Sequence, residues 1–271
     1  MGDHLVSNKK KPRAAIAQIL VKEGAFKANC KRGFDALQRA VHQGADIAIL
    51  PELWTTGYRL EKAASQARRN RDILEEMGAF CKKNRIMCIA GSMILKNEKG
   101  KLVNRSVVFD KTGNPITIYD KMHLFPALGE NHVFQRGERP AVFETPWGKA
   151  GLSLCYDLRF PELFRHYFLE GVKMIFLPSQ WPYPRIRHWR TLVRARAVED
   201  NCFIIACNIA SRRGEKMLYG FSAVIDPAGE AVLELGHQED VTTAPLDLGM
   251  AEEMNRLLNL RCNVHDFFKH R

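Results

Sequence analysis

The chain has 271 residues, 46% of them apolar, and a formal charge of +11; that suffices for one large domain with a layered core, and the charge leaves both nucleic acids and small anions open as partners. No run approaches the roughly 18 to 20 uncharged apolar residues of a membrane span, and residues 1–13 are polar and basic where a signal peptide needs an apolar centre, so a cytoplasmic protein is expected. The cysteines, at 30, 81, 88, 155, 202, 207 and 262, form an odd set without a CxxC pair, as reduced thiols do.

In chain order, AAIAQIL (14–20) reads as a first strand, and Phe26, Cys30, Phe34, Leu37 and Val41 follow at helical spacing, giving one apolar face. DIAILPE reads as a strand buried on both faces that stops at Pro51. A helix over residues 71–84 leads to one strand, IMCIAGSMIL, and FDKTGNPITIYDK is a hairpin turning at residues 112–114. AVFETPWGKAGLSLC reads as strand, turn and strand, FPELFRHYFLEG as a helix ending at Gly171, and VKMIFLP as a strand stopped by Pro178. The helix RHWRTLVRARAVEDN, the strand CFIIACNIA and the hairpin FSAVIDPAGEAVLEL complete the pattern. Without a linker or internal repeat, one domain over residues 14–271 behind a basic tail of residues 1–13 is expected. The class is α/β, with mixed sheets covered by helices rather than one parallel doubly wound sheet.

Three of these strands are apolar along their length and end on a reactive residue: IAILPE at Glu52, ITIYDK at Lys121 and GLSLC at Cys155. Strand C-termini border the ligand crevice in open α/β sheets, so a carboxylate, an ammonium and a thiol are expected to meet there, a set suited to acyl chemistry. Within GLSLC the period of two puts Gly151, Ser153 and Cys155 on one face of small side chains that leaves room. A tight turn over residues 156–160 into a helix starting near Pro161 aims the backbone amides after the sulfur at the same space, where they can hold an oxyanion. Each residue alone has a plain reading: free cysteines are usually buried, as Cys30, Cys202 and Cys207 read here, and a single Glu or Lys is usually solvated. It is the coincidence of three strand ends that singles them out.

Through LPELWTTGY, YDKMHLF and GLSLCYDLRFPEL, and onward through LPSQWPYPRIRHWRTLVRARAVEDNCFIIACN and GFSAVIDPAGE, the sequence resembles the nitrilase superfamily of carbon–nitrogen hydrolases over nearly the whole chain after Arg13. The resemblance implies a four-layer αββα sandwich in which Glu52, Lys121 and Cys155 are catalytic, with Glu130 as a second active-site glutamate. It implies that Cys155 attacks an amide carbonyl while Glu52 moves the proton. Lys121 and the amide of Tyr156 then hold the oxyanion, with no metal or organic cofactor. SQWPYPR and CYDLRFPEL resemble the ω-amidase branch, whose substrates are ω-amides of 2-oxo acids such as 2-oxoglutaramate. Arg185, Arg187 or Arg159 then suit the substrate carboxylate, although Arg159 also sits three residues before Glu162 and can pair with it. Tyr58, Tyr156 and Trp181 are expected to line the pocket, and His123 takes a structural role. The resemblance also implies a homodimer formed near the helix after Cys155, with the C-terminal segment and its Phe267 and Phe268 reaching the partner.

Other readings are weaker on the residues. RIRHWRTLVRAR places Arg187, Arg190 and Arg194 beside Trp181 and Trp189, which suggests nucleic acid, but Trp189, Leu192 and Val193 make a packing stripe and no nucleic-acid-binding motif accompanies it. GLSLC is not the GxSxG of serine hydrolases, and no HExxH or paired Cys/His spacing suggests a metal. Within the enzyme class, a nitrilase, an N-carbamoyl amidohydrolase and a deaminated-glutathione amidase share the same cysteine chemistry, so the substrate stays open among them.

Overall fold

Apolar strands buried on both faces need a layer above and a layer below, and the computed structural model, which describes residues 11–183, 185–211, 219–258 and 260, supplies both. One sheet holds β1 (Arg13–Gln18), β2 (Ile47–Ile49), β3 (Met87–Ile89), β4 (Met93–Lys96), β5 (Leu102–Phe109), β6 (Pro115–Asp120) and β13 (Asp240–Pro245). Its order is β13-β1-β2-β3-β5-β4, with β6 pairing to β5. The second sheet holds β7 (Ala141–Thr145), β8 (Gly148–Leu152), β9 (Met174–Pro178), β10 (Phe203–Cys207), β11 (Ala223–Ile225) and β12 (Ala231–Glu234), in the order β12-β11-β10-β9-β8-β7. Both are mixed: β1, β2 and β3 run parallel, as do β8, β9 and β10, and hairpins complete each sheet.

The period of two along β1 sorts its side chains between layers. Ala14 and Ile16 join Ile47, Ile49 and the second sheet's Phe176 and Ile204 in one core. Ala15 and Ala17 join Leu37 and Ala40 of α1 (Phe26–His42) and Met77 of α2 (Ala63–Asn84) in another. On the far side, α4 (Pro161–Leu169) and α5 (Ile186–Glu199) cover the second sheet through Phe164, Tyr167, Trp189 and Val193. The result is the expected αββα sandwich. Each fully buried Leu, Ile or Phe in these layers adds roughly 1.5–3 kcal/mol.

Two glycines decide how the first sheet's cover sits. A Cβ on Gly33 would lie 2.2 Å from the Trp54 ring, so only glycine lets α1 rest on that indole, which is itself pinned by Nε1–H to the Ala90 carbonyl at 2.8 Å. Gly91 has φ +62° and its missing Cβ would lie 2.1 Å from the Pro51 carbonyl oxygen. That left-handed residue cuts the expected single strand IMCIAGSMIL into β3 and β4, both paired to β5.

Other differences have local causes. Helix α2 begins at Ala63 rather than residue 71, because its first turns bury Ala63, Gln66, Ala67 and Asn70, small or polar residues that show no apolar period. The polar strand β13 and the short α3 (Glu130–Val133) carry no comparable pattern either, whereas α6 (Gly249–Leu258) does, through Met250, Met254, Leu257 and Leu258, and was not expected. Gly151 faces not open space but the Tyr167 ring, 3.1 Å from where its Cβ would be, so the room expected along Gly151, Ser153 and Cys155 is filled by α4 at its first position. Of the expected basic tail, only residues 11–13 lie within the described residues, and Arg13 already opens β1; Phe267 and Phe268 lie outside them. Among the described residues no helix is long and apolar enough to cross a membrane.

Candidate active site

The ends of four strands converge between the sheets. Glu52 follows β2 after Pro51, Lys121 follows β6 directly, Cys155 lies beyond β8, and Gln180 lies beyond β9. Glu52, Lys121 and Glu130, the first residue of α3, are completely buried. Lys121 Nζ donates to Glu52 Oε1 at 2.8 Å and to Glu130 Oε1 at 3.0 Å, so one ammonium is shared by two carboxylates. Asn104 Nδ2 bridges the same two oxygens at 2.9 and 3.2 Å. Glu52 Oε2 accepts the backbone N–H of Gln180 at 3.0 Å, and Gln180 Nε2 donates to the Glu52 carbonyl at 2.6 Å. Glu130 is held further by the Phe125 N–H at 2.6 Å and the Tyr58 hydroxyl at 3.2 Å.

Cys155 is not the last residue of a strand. β8 ends at Leu152, and the cysteine opens a 3-10 turn, Cys155–Arg159, with φ +43°. A non-glycine residue in that region is strained by about 1–3 kcal/mol and persists only where its surroundings hold it. The turn sets the sulfur beside the Glu52 carboxylate and the Gln180 N–H, and both act on the thiol, as Lys121 does.

The electrostatics follow from burial. Burial pushes the Cys155 thiol well above its ordinary value, and the Glu52 charge pushes the same way against Lys121. Lys121 is opposed by burial but held above the usual lysine range by Glu130 and Glu52. Burial also raises Glu130, against the pull of Lys121. The sulfur therefore rests as a thiol beside a carboxylate, and the ammonium stays charged.

A cavity of about 390 Å³ opens onto Cys155. Tyr58, Tyr156, Trp181 and Arg185, all expected there, line it, together with Phe125 and Arg159. Trp181 is fixed by its N–H to Asn208 Oδ1 at 2.8 Å and its Nε1–H to the Arg185 carbonyl at 2.9 Å. The Arg159 guanidinium lies 4.7 Å over the Trp181 ring and contacts His188 Nδ1 at 3.3 Å, so it faces the cavity. Arg185 lies 5.5 Å over Phe125. Arg187 is exposed on the first turn of α5, outside the cavity lining, which removes it from the candidates for a carboxylate. His123 stacks on Phe160 at 3.7 Å and bonds Asp157 at 2.8 Å rather than Cys155.

The basic stripe on α5 is partly answered within the fold: Arg190 and Arg194 share the one carboxylate of Glu234, at 2.6 and 2.9 Å, while Trp181 and Trp189 are buried. Among the described residues no group of three or more His, Cys, Asp or Glu is arranged to hold a metal ion.

Sequence reasoning missed Asn104, Gln180, Phe125 and Asp157. Gln180 had a signal, since it too follows an apolar strand stopped by proline. Asn104 sits in mid-strand, where a polar residue reads as solvent-facing, and Asp157 and Phe125 sit in turns.

The family model described as carbon–nitrogen hydrolase matches residues 13–256. The chain is 35% identical to a 2-oxoglutaramate amidase of Bacillus subtilis over 211 residues, which is 78% of this chain and 81% of that protein. It is 30% identical to the omega-amidase NIT2 of Xenopus tropicalis over 261 residues, covering 92% of this chain and 93% of the other. The crystal structure of Saccharomyces cerevisiae Nit3, a member of branch 10 of the nitrilase superfamily, superimposes with a TM-score of 0.85 at 26% identity, covering 93% of this chain and 95% of that one.

Proposed function

The chain belongs to the carbon–nitrogen hydrolase family, and we propose that it is an amidase that releases ammonia from the ω-amide of a small 2-oxo acid, 2-oxoglutaramate being the first candidate. The observation that carries this reading is the closed cluster in which Lys121 lies 2.8 Å from Glu52 and the Glu52 charge acts on the Cys155 thiol, at the floor of a cavity with two guanidiniums on its wall.

On this reading the reaction has two halves. The Cys155 sulfur forms a bond to the amide carbon, and its proton passes to Glu52. The carbonyl oxygen becomes an oxyanion held by the Lys121 ammonium and the backbone N–H of Tyr156. Glu52 returns the proton to the nitrogen as the C–N bond breaks, and ammonia leaves a thioester. Water then attacks the same carbon, its proton going to Glu52, and the carboxylic acid departs as the thiol is restored. Glu130 and Asn104 keep Lys121 charged and Glu52 oriented throughout. Because burial holds Cys155 as a thiol, a base in contact with it is needed, and Glu52 is that group.

The substrate's carboxylate suits Arg185 and Arg159, which rest on aromatic faces at the wall, while Tyr58, Tyr156 and Trp181 fit its short chain. The related amidases support that choice. A homodimer is proposed with it: Leu169 at the end of α4 and Val198 near the end of α5 are about half exposed, 54% and 50%, and the two helices are tied by Arg165 to Asp200 at 3.4 Å. Sedimentation at micromolar concentration checks the dimer.

The test of function is ammonia release from 2-oxoglutaramate, glutamine, N-carbamoyl amino acids and simple nitriles. The 2-oxo acid amide is expected to give the highest kcat/KM. A preference for nitriles or carbamoyl compounds would move the chain to another branch of the same chemistry.

A further inference from the structure

A strained cysteine and a buried lysine on different sheets must be held in register, and one side chain touches the supports of both. Asp157 is completely buried in the turn that carries Cys155. Its Oδ2 accepts the Leu154 N–H at 2.8 Å, while its own N–H donates to the Leu154 carbonyl at 2.9 Å, so the residue closes a loop around Cys155 in both directions. The same Oδ2 accepts the Tyr119 hydroxyl at 2.7 Å. Its Oδ1 accepts the His123 backbone N–H at 2.9 Å and lies 2.8 Å from the His123 ring Nδ1. Tyr119 and His123 flank Lys121, two residues away on either side.

We propose that Asp157 is the positioning residue of the site, a carboxylate clamp that holds the Cys155 turn against the segment carrying Lys121. The inference rests on the reading of Cys155 and Lys121 given above. The Leu154 and His123 backbone N–H groups and the Tyr119 hydroxyl donate to its two oxygens, so a side chain with an acceptor at both positions satisfies them together. An amide of the same shape turns one of the two acceptor oxygens, with the two contacts it receives, into an N–H₂ group that faces donors, and the loop loses its brace where φ is positive. The Asp157 carboxylate bonds to neither Arg185 nor Trp181 and lines no part of the cavity; the turn it braces carries Tyr156 and Arg159 of the wall as well as Cys155, so the geometry of attack is the first thing it sets.

The experiment measures kcat and KM for ammonia release, per folded molecule, in Asp157→Asn, Tyr119→Phe and the double variant, with Cys155→Ala in the same assay. Asp157→Asn is expected to lower kcat on the order of 10²-fold, the effect of a misplaced nucleophile, with KM within about twofold. Tyr119→Phe, which removes one hydroxyl and keeps the fold should Asp157→Asn not express, is expected to lower kcat on the order of tenfold at an unchanged melting temperature. The double variant should be no worse than Asp157→Asn, because both changes break one clamp. A kcat within about threefold of wild type in both single variants, a loss seen only in KM or only in the folded fraction, or additive effects, would overturn the proposal. Activity retained by Cys155→Ala fails differently: it removes the parent reading, and the clamp with it.

Discussion

On the floor of the cavity, Glu52 and Glu130 share the Lys121 ammonium, with Asn104 and Gln180 filling further acceptor positions. At the mouth, Arg159 and Arg185 lie over Trp181 and Phe125 with no carboxylate paired to either among the described residues. The two regions share one cavity and are opposite in design. Floor charges are answered inside the protein, where an unpaired buried charge costs about 3–5 kcal/mol. The mouth cations are partly solvated, so leaving them unpaired costs little until an anion arrives. Chemistry and selectivity are thus separable, and mutations should divide along the same line.

The largest effect belongs to the floor. Cys155→Ala is expected to leave no measurable turnover with an unchanged circular dichroism spectrum, since it removes the sulfur and disturbs no ion pair. Full activity in that variant would end the comparison, because the floor would then have no nucleophile to serve. Glu52→Gln comes next. A general base is worth on the order of 10²–10⁴-fold, and its loss should slow both halves of the reaction, so that the acyl-enzyme accumulates enough for intact-protein mass spectrometry to detect the added mass on Cys155.

At the mouth the expected effect is smaller and of a different kind. Arg185→Leu should raise KM for an anionic amide on the order of tenfold, the worth of one charge-assisted hydrogen bond, and leave kcat within about twofold. A neutral amide of similar size should hardly notice the change. If kcat falls instead, the mouth takes part in the chemistry and the division fails.

How much of this was legible follows the same division. Glu52 stands out in the sequence because an apolar strand buried on both faces is easy to read and its polar end is conspicuous, and Lys121 was found by the same rule although β6 leaves Ile116 and Ile118 exposed. Cys155 was found by the same rule, though the structure carries it past the strand into a left-handed turn, a conformation that cysteine does not advertise as glycine would. Asn104 was invisible: it alternates with Val103 along β5, and only the presence of the second sheet turns its face from solvent to interior. The fold was legible wherever burial is apolar. It was lost where small or polar residues are buried, as at Ala63, Gln66 and Asn70 of α2, and where a paired strand is polar, as at Thr242 and Thr243 of β13.

The smallest expected effect sharpens the comparison from outside the site. Asp200, at the end of α5, is also a buried carboxyl, but its cation, Arg165, is 42% exposed and stands 3.4 Å away. Burial pushes its pKa from the ordinary 3.8 up to about 7, with Arg165 opposing. Folding therefore favours the protonated form. The stability it contributes is complete below the ordinary value and lost as pH rises through about 7, at most ~4 kcal/mol before the surroundings relax. Asp200→Asn keeps the shape and removes the charge. It should raise stability near pH 8 by about 1 kcal/mol, a gain of roughly 2–4 °C in Tm, and change little near pH 4. On the floor burial pushes Glu130 up as well, but a fully buried ammonium pulls against it, so Glu130→Gln should gain less near pH 8 than Asp200→Asn does. Thermal melts of Asp200→Asn and Glu130→Gln at both pH values decide it: an equal gain near pH 8 in the two variants would mean that a fully buried cation does not set the difference.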